Sequence, residues 1–139
     1  MNLSSTIEEL EGARWDEPAF PSHLVSECHR LRKVPLGRFT IENLRIMLGQ
    51  NIGSRYLLPI ALERLEADPF VEGDFYPGDL LCSVLSLPRS FWAQHPELRA
   101  RVAAVAARAV AGISASAYEH GPVVAKAIRK AHEVFQQSV

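Results

Sequence analysis

Apolar residues recur along most of this chain at intervals of three and four, the spacing of one buried helix face. No β-branched stretch alternates with period two, so strands are not expected. Ser5-x-x-Glu8 has the form of a capping box ahead of a short acidic helix. Residues 13–21 carry two prolines and little periodicity and read as a loop. Pro21 and Ser22 then open a helix to about Lys33, with Leu24, Val25, Cys28 and Leu31 as its apolar stripe. Pro35 stops that helix. Thr40 is a good N-cap for the next, in which Ile41, Leu44, Met47 and Leu48 share a face and Gly49 supplies a left-handed end.

A turn at 51–54 leads to a helix over 54–67, with Leu58, Ala61, Leu62 and Leu65 inward. Pro59 predicts a late start or a small kink there. Residues 70–78 mix turn residues, acids and aromatics and read as an ordered loop. Pro77, Gly78 and Asp79 lead into a helix through Leu85, and Asp79 fits a capping role. A short helical turn at 90–94 buries Phe91 and Trp92. Pro96 starts a long alanine-rich helix to about Gly112. Gly121-Pro122 breaks the chain before a last helix over 123–137, with Val124, Ala127, Ile128, Ala131 and Phe135 on one stripe. The sum is an all-α single domain, residues 1–139, built as a bundle of about six or seven helices with short connections.

Composition changes this picture little. The chain has 139 residues, 47% hydrophobic and 22% charged, with a formal net charge of -1. That is enough to bury a core without metals or disulfides. A near-neutral total argues against nucleic-acid binding as the main task, which needs clustered basic charge. The N-terminus is polar and acidic and has no signal-peptide pattern, and no apolar run reaches membrane-spanning length, so a cytosolic protein is expected. Cys28 and Cys82 sit in amphipathic runs, where a free cysteine behaves as a small core residue. Arg30, Arg32 and Lys33 gather at a predicted helix C-terminus, where they complement its dipole.

Candidate chemistry is sparse. His23, His29, His95, His120 and His132 form no ligand spacing, and adjacent Cys28 and His29 diverge by about 100° on a helix. No nucleophile-and-base motif accompanies either cysteine, and the glycines match no phosphate-binding pattern. The expectation is therefore no catalytic residue, no metal and no cofactor. Charge distribution says more. Between 63 and 79 the acids Glu63, Glu66, Asp68, Glu72, Asp74 and Asp79 are opposed only by Arg64. This run reads either as solvated helix surface and caps or as a negative patch for a basic partner. Phe75, Tyr76, Phe91 and Trp92 read first as core, with Tyr76 also placed to anchor an interface.

Read as a whole, residues 31–92 carry a pattern: Leu-Arg-Lys-Val-Pro-Leu at 31–36, Phe-Thr-Ile-Glu-Asn-Leu-Arg-Ile-Met-Leu-Gly-Gln-Asn-Ile-Gly at 39–53, Tyr-Leu-Leu-Pro-Ile-Ala-Leu-Glu-Arg-Leu at 56–65 and Glu-Gly-Asp-Phe-Tyr-Pro-Gly-Asp-Leu-Leu at 72–81. This resembles a family of contact-dependent growth inhibition (CDI) immunity proteins over nearly half of the chain, most specifically at 44–53 and 72–81. The resemblance implies a cytosolic binding protein that blocks the C-terminal toxin domain delivered by a sibling cell, often a nuclease, with no cofactor and no catalytic role; one-to-one binding that covers the toxin's active site or substrate-binding groove is the mechanism expected. It carries no map of toxin contacts. On physical grounds the candidates are Glu63, Glu66, Asp68, Glu72, Asp74 and Tyr76. Three other readings compete: a DNA-binding regulator using 40–65 as helix-turn-helix, a small hydrolase using Cys28 or Cys82, and an interaction module with another partner.

Overall fold

The computed structural model describes residues 2–138. Among them are eight α-helices and one 3-10 turn: α1 (Ile7–Glu11), α2 (His23–Leu31), the 3-10 turn Leu36–Arg38, α3 (Ile41–Gly49), α4 (Ser54–Ala67), α5 (Asp79–Leu85), α6 (Arg89–Gln94), α7 (Pro96–Ser114) and α8 (Pro122–Gln136). The all-α expectation holds. The helix count exceeds six or seven because the short α1 and α6 are complete helical segments, not isolated turns.

The capping chemistry sets most boundaries. At α1 the box lies one residue later than the sequence pattern implied. Thr6 accepts from Glu9 N at 3.1 Å and the Glu9 carboxylate accepts from Thr6 N at 3.0 Å. Thr40 and Asn43 make the same reciprocal pair at α3. Gly49 proves to be the last residue of α3, and the left-handed positions follow it at Asn51 (φ 54) and Gly53 (φ 64). α4 runs unbroken through Pro59 from Ser54, with no late start. Pro96 and Pro122 sit in the first turns of α7 and α8, where a missing N–H costs nothing.

The core is organised around the short helix α5. Asp79, Leu80, Leu81, Val84 and Leu85 are all buried, and α3, α4, α7 and α8 pack against it. α4 lies beside it with Leu57, Leu58, Ala61, Leu62 and Leu65 fully buried. α8 closes the far side through Ile128 and Phe135, and Phe135 meets Trp92 edge-on at 5.3 Å. Arginines from the preceding helices hold the end of α8: Arg99 donates to Phe135 O at 3.1 Å and Arg89 to Gln137 O at 3.1 Å. Gly78 has φ 94, and a Cβ there would stand 2.7 Å from Ile128 Cδ1, so glycine is required both by backbone and by space.

Two sequence expectations fail at the N-terminal end. The stripe of α2 is buried only in its second half: Cys28 and Leu31 are covered, whereas Leu24 and Val25 are 42% and 38% exposed. Arg32 is not a surface charge at a helix end but almost fully buried. It donates to Glu11 Oε1 at 2.6 Å and to Ala13 O at 2.8 Å, and the Trp15 ring lies 4.1 Å from its guanidinium carbon. Its Nε and Nη1 have no hydrogen-bond partner among the described residues, and the Trp15 ring over the guanidinium offsets part of the cost of burying its charge.

Because α8 seals the core with few large side chains, Ile128→Ala is expected to lower unfolding free energy by about 2–5 kcal/mol. Urea denaturation checks this; an unchanged midpoint would show that α8 is dispensable to the core.

Candidate functional site

The loop between α4 and α5 owes its shape to two carboxylates. Asp79, the first residue of α5 and 3% exposed, does not cap its own helix as the sequence suggested. Its side chain turns back into the loop instead. Oδ1 accepts from Gly73 N at 2.7 Å, and Oδ2 accepts from Phe75 N at 3.1 Å and Tyr76 N at 3.4 Å. Glu42 of α3 accepts from Asp74 N at 2.9 Å on the other side. Arg45 joins the two, donating from Nε and Nη2 to Glu42 at 2.6 and 2.5 Å and standing 3.9 Å from Asp79. A Cβ on Gly73 would fall 2.6 Å from Glu42 Oε1, so the loop can reach both carboxylates only with glycine there. One antiparallel bridge, Glu72 to Pro77, closes the loop.

This arrangement points side chains outward that the sequence left ambiguous. Phe75 is 68% exposed, with Arg45 4.3 Å from its ring centroid. Tyr76 is half-buried with its hydroxyl against the Cys82 thiol; burial raises the pKa of both groups. Cys28 and Cys82 are both free, and burial pushes the Cys28 thiol up as well. Neither is a ready nucleophile. Among the described residues no three His, Cys, Asp or Glu side chains are grouped to hold a metal.

The exposed loop borders an open groove of about 560 Å³ between α2 and α3, lined among the described residues by the acids Glu27, Glu42, Glu72 and Asp74 and by His23 as its one basic group. Glu27 pairs with Arg30 at 2.7 Å, and that hydrogen bond lowers its pKa. Hydrogen bonding to Arg45 likewise lowers that of Glu42. Glu72 and Asp74 are exposed and make no ion pair among the described residues.

The structure therefore divides the sequence-predicted acidic run. Glu72 and Asp74 line the groove, and Tyr76 stands behind it. Glu63, Glu66 and Asp68 are exposed at the end of α4 and do not line it. Glu66 is held by Arg101 of α7 through two hydrogen bonds, 2.6 and 3.2 Å, which lower its pKa, and Arg108 donates to its backbone carbonyl at 2.8 Å. Asp68 accepts from Phe70 N at 3.0 Å at the helix end. Glu27 and Glu42 were missed because they lie outside the continuous run; only the packing of α2 against α3 brings them to the loop. A second open groove, about 960 Å³, lies between the end of α7 and α8, with Lys126, Arg129 and Lys130 against Glu119 and Glu133. Its net charge is small.

A family model described as CDI immunity proteins matches residues 9–102, about two-thirds of the chain. The chain belongs to the CDI immunity protein family. It is thus a toxin-neutralising immunity protein whose partner is a CDI toxin. No curated protein and no solved structure gives a significant match. The family match takes in α2, α3, the Asp79-held loop and the acidic groove, whereas the second groove lies wholly beyond it. No helix among the described residues is long and apolar enough to cross a membrane.

Glu42 has a lowered folded pKa, so its contribution to stability is present above the unfolded value of 4.5 and is lost as pH falls through the lowered folded value. Glu42→Gln is expected to cost about 1–2 kcal/mol at pH 7, with the difference from wild type vanishing under acid conditions. Thermal melts across pH check the sign. A difference that stayed the same at every pH down to acid unfolding would show that the charge is not what holds the loop.

Proposed function

We propose that the immunity protein neutralises its toxin in the cytosol by binding it one-to-one through the acidic face, covering an active site or a substrate-binding groove. The observation that carries this reading is the acidic groove inside the family-matched region. A nuclease toxin presents a basic surface for phosphates, and carboxylates held on a rigid loop can occupy that surface. Of the candidates Glu63, Glu66, Asp68, Glu72, Asp74 and Tyr76, we give Glu72 and Asp74 the leading part, because they are exposed, make no ion pair among the described residues, and are carried by a loop that Asp79 and Glu42 hold. Glu66 would first have to release Arg101. A standard interface of about 1,600 Å² in total would span the groove and its rim. Inhibition by occlusion requires no catalytic group and no cofactor in the inhibitor.

The helix-turn-helix reading is disfavoured by the packing. α4 would be the recognition helix, yet its apolar face packs against α3, α5 and α7, and its exposed ionic positions Arg55, Glu63, Arg64 and Glu66 sum to no net positive charge for phosphate.

Calorimetry with the toxin domain encoded beside this gene tests the proposal. Tight one-to-one binding with loss of toxin activity is expected, and absence of binding at micromolar concentrations would reject it. The combined alanine variant at Glu66, Asp68, Glu72 and Asp74 should weaken binding by about tenfold or more, chiefly through slower association at low salt. Unchanged affinity would remove the acidic face from the interface.

A further inference from the structure

The described residues hold eight large apolar side chains that stand exposed, and four of them, Trp15, Phe20, Leu24 and Val25, fall within one stretch of the chain. Phe20 is 99% exposed and touches almost nothing. It lies two residues ahead of Ser22, whose hydroxyl caps α2 by accepting from Val25 N at 3.1 Å. Leu24 and Val25 occupy the first turn of that helix. The three residues therefore lie close together along the chain around the N-terminal end of α2, beyond the half of its stripe that the core covers.

The strap that carries Phe20 is anchored rather than loose. Trp15 lies over Arg32 and meets His29 edge-on at 5.2 Å, Glu11 pairs with Arg32, and Glu17 reaches Lys33 at 3.5 Å. Apolar side chains held out on a strap pinned on either side of Phe20 form a surface awaiting cover, because folding normally removes such groups from water.

Charge selects the occupant. The same first two turns of α2 supply His23 and Glu27 to the acidic groove, so a partner of ordinary footprint seated on the N-terminal end of α2 extends to its acids, whereas Arg30 and Lys33 beside the strap are already paired with Glu27 and Glu17. A second copy docking by twofold symmetry would set this face against itself, acid to acid. An anionic lipid surface would be repelled. A basic protein partner is attracted.

We infer that Phe20, with Leu24 and Val25, is the apolar anchor of the toxin interface, seated in an apolar pocket of the toxin that a cationic surface borders. This rests on the proposed toxin docking at the acidic groove. It adds that the contact extends from the groove across the N-terminal end of α2, and that much of the affinity comes from the phenyl ring while the carboxylates guide association.

The test is calorimetry of wild type, Phe20→Ala and the double variant Phe20→Ala/Leu24→Ala against the toxin domain encoded beside this gene, with thermal melts of each variant. Both side chains are exposed, so melting temperatures should stay near wild type. Affinity should fall at least about tenfold for the single variant and further for the double. If wild type binds and both variants bind equally well, the anchor is wrong while the toxin-docking proposal stands. If wild type does not bind, both fall. Sedimentation of the protein alone gives a further outcome: a dimer abolished by Phe20→Ala would assign the patch to self-association and overturn the inference.

Discussion

The buried carboxylate of Asp79 is the constraint on which the rest of this molecule's surface depends. It begins α5, the helix that α3, α4, α7 and α8 enclose, so its position is fixed by the core. A carboxylate at a helix N-terminus is favoured by the helix dipole. Here it also gathers the N–H groups of Gly73, Phe75 and Tyr76, which removes the cost of burying both the charge and the loop backbone. Arg45 and Glu42 extend the network to α3. Core packing is thereby transmitted to an exposed loop without any regular secondary structure in between.

This explains how the loop at 72–81, inside the family-matched region, keeps one shape while its exposed side chains remain available for recognition. Gly73, Gly78 and Asp79 make the loop's shape. Glu72, Asp74 and Phe75 project from it. One set specifies the fold and the other faces solvent, so the exposed set can vary between family members with little effect on folding. The same division holds at α2, where Cys28, Leu31 and Arg32 bind the helix to the body while its N-terminal end carries Leu24 and Val25 into solvent.

The fold was legible because its punctuation is local. Thr40, Pro96, Gly121 and Pro122 mark helix ends by their own backbone and capping chemistry, and the periodic leucines of α4 and α5 mark their inward faces. What failed depended on distant partners. The stripe of α2 has helical spacing along its whole length, but spacing does not reveal where the covering element stops. Arg32 looks like any helix-terminal base until Glu11 and Trp15 fold over it. Asp79 has the right position for a cap, and only the turn at Gly78 shows that it faces backward. The acidic run appeared continuous because charges were read along the chain. In space, Glu66 belongs to Arg101, 35 residues away, and Asp74 belongs with Glu42, 32 residues away.

The proposed toxin contact therefore occupies one face, running from the N-terminal end of α2 through the groove to the loop that Asp79 holds. Hydrogen exchange on the free protein and on its complex with the toxin domain would read that face directly. Protection is expected at 20–27, 40–46 and 72–76, with the groove between α7 and α8 unchanged. Protection confined instead to 113–133 would place the toxin on the opposite, family-unmatched groove and contradict the account.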